Sequence, residues 1–329
     1  MSEHKIPENK NNVLIEVKNL YKSFDLQAGF FAKKDKNVFA VNNVSFSIDR
    51  GETYGIVGES GCGKTTTARM MIKMYEATSG EILFHNTDGS ITDISKLSKK
   101  EKKVYQEKVK YIFQDPAKSL NPRMTVLSVL TDGLKYSTKK LSKEEIYQKA
   151  KDAIISVGLT EEDLQKRPSE FSGGQRQRIS IARGLLLDPE LLICDEVVSA
   201  LDVSIQAQVL NLLTDLRRDK KLSFIFITHD LRVACFFCDR IGVMYRGVLV
   251  EEAEAKTLYK DALHPYTKLL FEAAAGVRSN STVEVKTTLE KENGCPFAYR
   301  CPHATDRCKN EFPEFTKKEN GHKVRCFLY

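Results

Sequence analysis

The chain has 329 residues, 41% of them hydrophobic, and a formal charge of +7. That length exceeds one average domain and fits a large domain with a smaller companion. The polar N-terminus MSEHKIPENKNN has no apolar stretch of signal-peptide length, and apolar runs such as LSFIFIT (222–228) are strand-sized, so a soluble, cytosolic chain without a membrane span is expected. The basic balance decides no partner, because the lysines of SKKEKKVYQEKVK (98–110) alternate with acids as on a solvated face.

In chain order, residues 13–58 read as β-rich, through VLIEVKNL, VFAVNNVSFSI and ETYGIVG. Residues 95–187 are mostly helical in pattern, as in SKEEIYQKAKDAIISVG. Strand-like runs return at LLIC (191–194), SFIFIT and RIGVMY, separated by helical patterns, and this alternation points to an α/β domain with a largely parallel sheet. The polar stretch VRSNSTVEVKTTLEKENG (277–294) reads as a linker to a cysteine-rich tail. No internal repeat of solenoid type is present.

GESGCGKT (58–65) matches G-x-x-x-x-G-K-[ST] in full, after the strand YGIVG and before the helical TTTARMMIKMY. Gly58, Gly61 and Gly63 allow a tight turn whose N–H groups point at phosphate oxygens, and the following helix adds its positive end. Lys64 suits the β and γ phosphates, and the Thr65 hydroxyl suits Mg²⁺. Ser60, Cys62 and Thr66 belong to the same nucleotide-binding run; Cys62 stands at a freely varying position. In LLICDE (191–196) a core strand ends on Asp195, where ligands bind in open α/β sheets; Asp195 is a second Mg²⁺ holder and Glu196 a candidate general base. The combination implies a hydrolase.

FSGGQRQR (171–178) resembles the signature sequence of ATP-binding-cassette (ABC) ATPases. Gln114 in YIFQDP looks like that family's Q-loop glutamine, SALD (199–202) its D-loop with Asp202, and His229 in FITHD its switch histidine. The resemblance covers residues 13–260. It implies the phosphate-loop ABC-ATPase fold, with a parallel core sheet, an N-terminal antiparallel β subdomain and a helical subdomain at about 95–187. It also implies that Ser172, Gly173, Gly174 and Gln175 serve the ATP bound by an opposite subunit, that Gln114 senses Mg²⁺ and the attacking water, and that His229 reaches the γ-phosphate. Phe24 in LYKSF aligns with the adenine-stacking aromatic, and Phe39 is its rival.

QDPAKSLNPRMTV (114–126), VSALDVSIQAQVLNLL (198–213), HPYTKLL (264–270) and the insertion AGFFAKKDKNVFAVNNVSF (28–46) resemble the ATPase subunits of dipeptide/oligopeptide importers, in particular the second, F-type chain. The resemblance implies a nucleotide-binding domain over 13–262 and a C-terminal region over 263–329. Expected partners are a paralogous ATPase subunit, two membrane-spanning permeases docking near 115–126, and an extracytoplasmic binding protein, at the cytoplasmic face of the membrane; no nucleic acid is expected. Nickel and glutathione importers share these sequences, so they stand as alternative cargo classes, and a soluble non-transport cassette ATPase is the remaining alternative. Three residues depart from the family's pattern. Val197 replaces proline and is expected to loosen the turn carrying Glu196, Gly184 replaces an alanine at a helix-propensity cost of about 1 kcal/mol, and Phe171 replaces leucine.

Four of the eight cysteines, Cys295, Cys301, Cys308 and Cys326, crowd into the tail. Four thiolates suit a tetrahedral Zn²⁺ or a [4Fe–4S] cluster; their wide gaps favour the cluster over zinc, and cysteines without a ligand are the third reading. The importer tail that GCPFAYRCPHATDRC (294–308) resembles carries such a cluster in some members. Cys235 and Cys238 in VACFFCDR read as small apolar residues on a packed helix face.

Overall fold

The computed structural model describes residues 12–25, 37–138, 140–275 and 293–329. The linker at 277–292 and the first part of the insertion, 28–36, therefore lie outside the described residues.

Among the described residues twelve strands form two sheets. β1 (Val13–Asp25), β2 (Asn37–Asp49), β4 (Ser79–His85) and β5 (Ile91–Asp93) make an antiparallel sheet in the order β2-β1-β4-β5. The core sheet runs β11-β12-β10-β9-β3-β8-β7-β6, from β3 (Thr53–Val57), β6 (Val109–Ile112), β7 (Leu191–Asp195), β8 (Ser223–Thr228), β9 (Arg240–Tyr245), β10 (Val248–Glu254), β11 (Thr316–Lys317) and β12 (Lys323–Val324). The five strands from β9 to β6 are parallel.

β3, β7 and β8 are buried along their whole length, which explains why TYGIV, LLICD and SFIFIT read as continuous apolar runs: a parallel sheet is covered on both faces. Side chains nevertheless alternate between two cores. Leu191, Ile193, Ile225 and Ile227 join the antiparallel sheet and the helix Lys64–Met71 on one face. Leu192, Cys194, Phe224 and Phe226 join the helical residues on the other. Each such side chain contributes on the order of 1.5–3 kcal/mol by leaving water.

The register fixes where function can sit. Val57 lies beside Thr228, and Asp195 beside Ile227. The residues that follow β3, β7 and β8 therefore emerge together at one end of the sheet.

Some expectations change. The mostly helical stretch 95–187 also contains β6, which pairs with β7 in the core sheet. β4, β5 and β10–β12 had no clear signal, being short or mixed in polarity. The cysteine-rich tail, set apart in sequence by a linker, is not set apart in space. β12 pairs with β10 and extends the core sheet, covering an edge that would otherwise expose unpaired backbone. Beneath this edge, fully buried Glu251 accepts the N–H groups of Leu263 at 2.7 Å and His264 at 3.0 Å. His322 Nε2 in the tail lies 2.7 Å from the same carboxylate.

Candidate functional site

The loop 58–63 leaves β3 and enters the helix Lys64–Met71. Two glycines are sterically required. A Cβ at Gly58 would lie 2.1 Å from the Met244 carbonyl oxygen, and one at Gly63, whose φ is +106°, would lie 2.2 Å from the Ala40 carbonyl oxygen. Gly61 also has positive φ but faces open space, and Ser60 beside it is exposed. Lys64 is buried, its Nζ donating to the carbonyls of Gly58 at 2.7 Å and Glu59 at 3.0 Å. Cys62 is buried in the loop, with its Sγ 3.8 Å from Lys64 Nζ.

Thr65 Oγ1 donates to Asp195 across the sheet end, 3.1 Å from Oδ1 and 3.0 Å from Oδ2. The adjacent Thr66 is half-buried. Burial raises the Asp195 carboxyl above the usual carboxylate range, and hydrogen bonds from Tyr111 and Thr65 oppose that rise. Tyr111 was missed at the sequence level. It lies within β6, and its hydroxyl donates to Asp195 Oδ2. A hydroxyl within the otherwise apolar YIF run was the available signal.

Glu196 follows Asp195 with φ at +50°, the left-handed region that non-glycine residues rarely occupy. The turn that Val197 is expected to loosen is tied back through Ser199. Ser199 grips it, donating from its N–H at 3.2 Å and its hydroxyl at 2.9 Å to the Glu196 carbonyl, while Val197 is buried. Gln114 Nε2 donates to Glu196 Oε2 at 2.9 Å, and His229 Nδ1 lies 3.7 Å from Glu196 Oε1. Five sequence-derived residues, Thr65, Gln114, Asp195, Glu196 and His229, thus form one connected group at the sheet end.

The signature residues are placed differently. Ser172 caps the helix Gly173–Leu185 through a reciprocal box: its hydroxyl accepts from Gln175 N at 3.3 Å, and its N–H donates to Gln175 Oε1 at 3.0 Å. Gly174 lets this helix approach the next, because a Cβ there would lie 2.5 Å from Ile205 Cγ2; Gly173 faces Leu201. Ser172, Gln175 and Asp202 are exposed. Phe24 is also exposed, with Lys22 Nζ 4.9 Å above its ring and Tyr75 edge-on at 5.7 Å. Phe39 sits opposite Ser23 in the same pair of strands.

The four tail cysteines line a single small pocket with His264, Phe297 and His303. Burial pushes the Cys295 thiol up to about 11, opposed by a hydrogen bond with the Phe297 backbone and aided by the neighbouring Cys326, Cys308 and Cys301. Among the described residues no group of three or more His, Cys, Asp or Glu side chains is spaced to hold a metal ion, which leaves both the zinc and the iron–sulfur readings without a ligand set in this structure. Cys235 lies in the helix Leu231–Phe237 and packs on the core as read, whereas Cys238 follows the helix as its extended C-cap and is buried beside Gly55.

Fold and site together define a phosphate-loop ATPase of the cassette type. A family model described as ABC transporter matches residues 41–199, and one described as oligopeptide/dipeptide transporter, C-terminal region, matches residues 250–308. The chain is 42% identical to the oligopeptide transport ATP-binding protein AppF of Bacillus subtilis (strain 168), covering 96% of this chain and 97% of that protein. It is 41% identical to the oligopeptide transport ATP-binding protein OppF of Haemophilus influenzae, covering 97% and 98%. A solved structure of the ATP-binding cassette MJ0796 in a post-hydrolysis state with ADP and Pi is similar at a TM-score of 0.62 and 27% identity, covering 74% of this chain and 99% of that one. CbiO1 from Clostridium perfringens, part of the ABC transporter complex cbiONQ, is similar at 0.64 and 26%, covering 76% and 92%. The chain belongs to the ABC transporter ATPases, in the branch of the oligopeptide transport ATP-binding proteins.

Proposed function

We propose that this chain hydrolyses ATP to power import of peptides through separate membrane permeases. The observation that carries the reading is the meeting of Thr65, Asp195, Glu196, Gln114 and His229 at one sheet end, in a chain whose relatives are named for oligopeptide transport. Among the described residues no helix is long and apolar enough to cross a membrane, so translocation falls to partners.

In this reading the loop N–H groups and Lys64 hold the phosphates, while Thr65 and Asp195 would hold Mg²⁺, which would supply charge neutralisation for phosphoryl transfer. Tyr111 keeps the Asp195 carboxylate turned toward Thr65. Glu196 takes the proton of the attacking water, oriented by Gln114 and His229. Phe24 stacks on adenine, with Phe39 the alternative. Ser172, Gln175 and Asp202, which are exposed, complete the site of a paralogous ATPase subunit together with Gly173 and Gly174. The residues near 115–126 receive the permeases; Asp115, Lys118 and Ser119 among them border a cleft of about 660 Å³ that Thr65, Gln114 and Asp195 also line. An extracytoplasmic binding protein delivers the peptide, and the chain works at the cytoplasmic face of the membrane.

The finer reading of the tail is a [4Fe–4S] cluster held by Cys295, Cys301, Cys308 and Cys326. Its one support is that the four thiols line one pocket, although among the described residues no three of them are spaced to hold a metal. The cluster's role there is to staple a short tail. Colourless, iron-free protein from anaerobic purification rules it out.

The functional reading is tested by isolating the chain from native membranes in mild detergent and identifying what accompanies it. A second cassette ATPase, two membrane-spanning subunits and a peptide-binding protein are expected; ribosomal or DNA-repair partners contradict transport.

A further inference from the structure

The tail reaches the phosphate loop itself. Arg300, which ends the short helical turn Ala298–Arg300 and directly precedes Cys301, sets both prongs of its guanidinium on Glu59. Nη1 lies 2.9 Å from Oε2, and Nη2 lies 3.0 Å from Oε1. This bidentate, end-on pairing adds both energy and geometric specificity over a single contact. Glu59 is the second residue of the loop, and two more groups hold its backbone. Its N–H donates to the Tyr266 hydroxyl at 2.9 Å, and its carbonyl accepts from Lys64 Nζ at 3.0 Å.

The grip on Glu59 is rigid on the tail side. Tyr266 is fully buried. Its ring packs on Tyr245 at 4.5 Å and on Phe297 at 5.4 Å between centroids. Arg300 lies over both Tyr245 and Phe297 at 5.7 Å. The Glu59 pairing raises the guanidinium's affinity for its proton still further.

A carboxylate in the second position of a loop built for a triphosphate works against binding, because it places like charge beside the ligand. We propose that Arg300 and Tyr266 are positioning residues for nucleotide binding: Arg300 cancels the Glu59 charge, and Tyr266 fixes the Glu59 peptide so that Lys64 is correctly presented. The proposal rests on the loop being the ATP site. It makes the docked tail part of the nucleotide site, with the residue before Cys301 as the link between the cysteine pocket and ATP affinity.

The test uses the full-length chain with Mg²⁺ and the fluorescent probe N-methylanthraniloyl-ATP, recording Kd and thermal midpoint together. Arg300→Met is expected to weaken binding about five- to tenfold, the scale of one uncancelled charge at a partly exposed site. Adding Glu59→Gln to Arg300→Met is expected to restore most of the affinity, a rescue that simple loss of tail packing does not produce. Tyr266→Phe is expected to weaken binding with the charge pair intact. Should Arg300→Met fail to fold, Glu59→Gln alone decides the charge argument: it is expected to bind as tightly as the parent or tighter, and weaker binding overturns the proposal. Arg300→Met binding within about twofold of the parent, or a double variant as weak as Arg300→Met, also overturns it. A parent chain that does not bind the probe refutes the ATPase reading itself, which keeps the two failures distinct.

Discussion

Gln114 Nε2 lies 2.9 Å from Glu196 Oε2, tying the segment after β6 to the carboxylate that follows β7. Because β6 and β7 are parallel neighbours, the residues after them emerge side by side although 82 positions separate them in the chain. The contact places a hydrogen-bond donor beside the proposed base. Glu196→Gln keeps the size and removes the basicity, so turnover is expected to fall by roughly 10²–10⁴-fold with nucleotide affinity retained. Steady-state phosphate release by the assembled complex, with the partner's site silenced, measures this. Turnover unchanged by the substitution means that Glu196 is not the base.

The two loop glycines separate steric need from backbone conformation. Gly58→Ala drives a Cβ to 2.1 Å from the Met244 carbonyl, and neither backbone can yield cheaply. It is expected to cost about 1–3 kcal/mol or more and to abolish nucleotide binding. Gly61→Ala meets nothing within 4 Å and carries only the penalty of φ at +79°, about 1–2 kcal/mol. Urea unfolding and probe binding on the pair should rank Gly58→Ala as the more damaging; the reverse order contradicts the geometry.

Gly184 lies inside the helix Gly173–Leu185, where a Cβ would sit 3.4 Å from Leu192 Cδ2 and 3.6 Å from Ile112 Cγ1. Both are ordinary van der Waals separations. Gly184→Ala is therefore expected to stabilise the chain by about 0.5–1 kcal/mol, through lower unfolded-state entropy and better helix propensity. A lowered midpoint in denaturant would show that the helix needs closer packing than these distances imply.

Glu251 is fully buried and carries three partners, two backbone N–H groups and His322. Removing it leaves those groups without an acceptor. Glu251→Ala is expected to destabilise by roughly 3–5 kcal/mol, the range for breaking a buried pair. Limited proteolysis should show the tail released first, because β12 rests on β10 at this residue. Loss of stability without earlier tail cleavage speaks against Glu251 as the tail's anchor.

The site was more legible than its surroundings, for physical reasons. GESGCGKT and LLICDE declare themselves because phosphate binding dictates residue types at fixed spacing and because buried parallel strands are uniformly apolar. The Gln114, Ser172 and His229 assignments came from resemblance alone, since a single glutamine, serine or histidine carries no local signal. Tyr111, Tyr266 and Arg300 went unassigned because their roles depend on contacts between segments far apart in the chain. Glu59 and Arg300 are separated by 241 residues. The tail read as a separate piece for a related cause: β11 and β12 are two residues each, too short for a periodic pattern, and only pairing with β10 makes them strands.

The most direct measurement is ATP-driven uptake of a labelled oligopeptide by the complex, reconstituted in proteoliposomes with its co-isolated permeases and binding protein. Uptake that requires ATP and collapses with Glu196→Gln is the predicted result. ATP turnover without peptide accumulation, or uptake that survives Glu196→Gln, contradicts the assignment of this chain as the motor of peptide import.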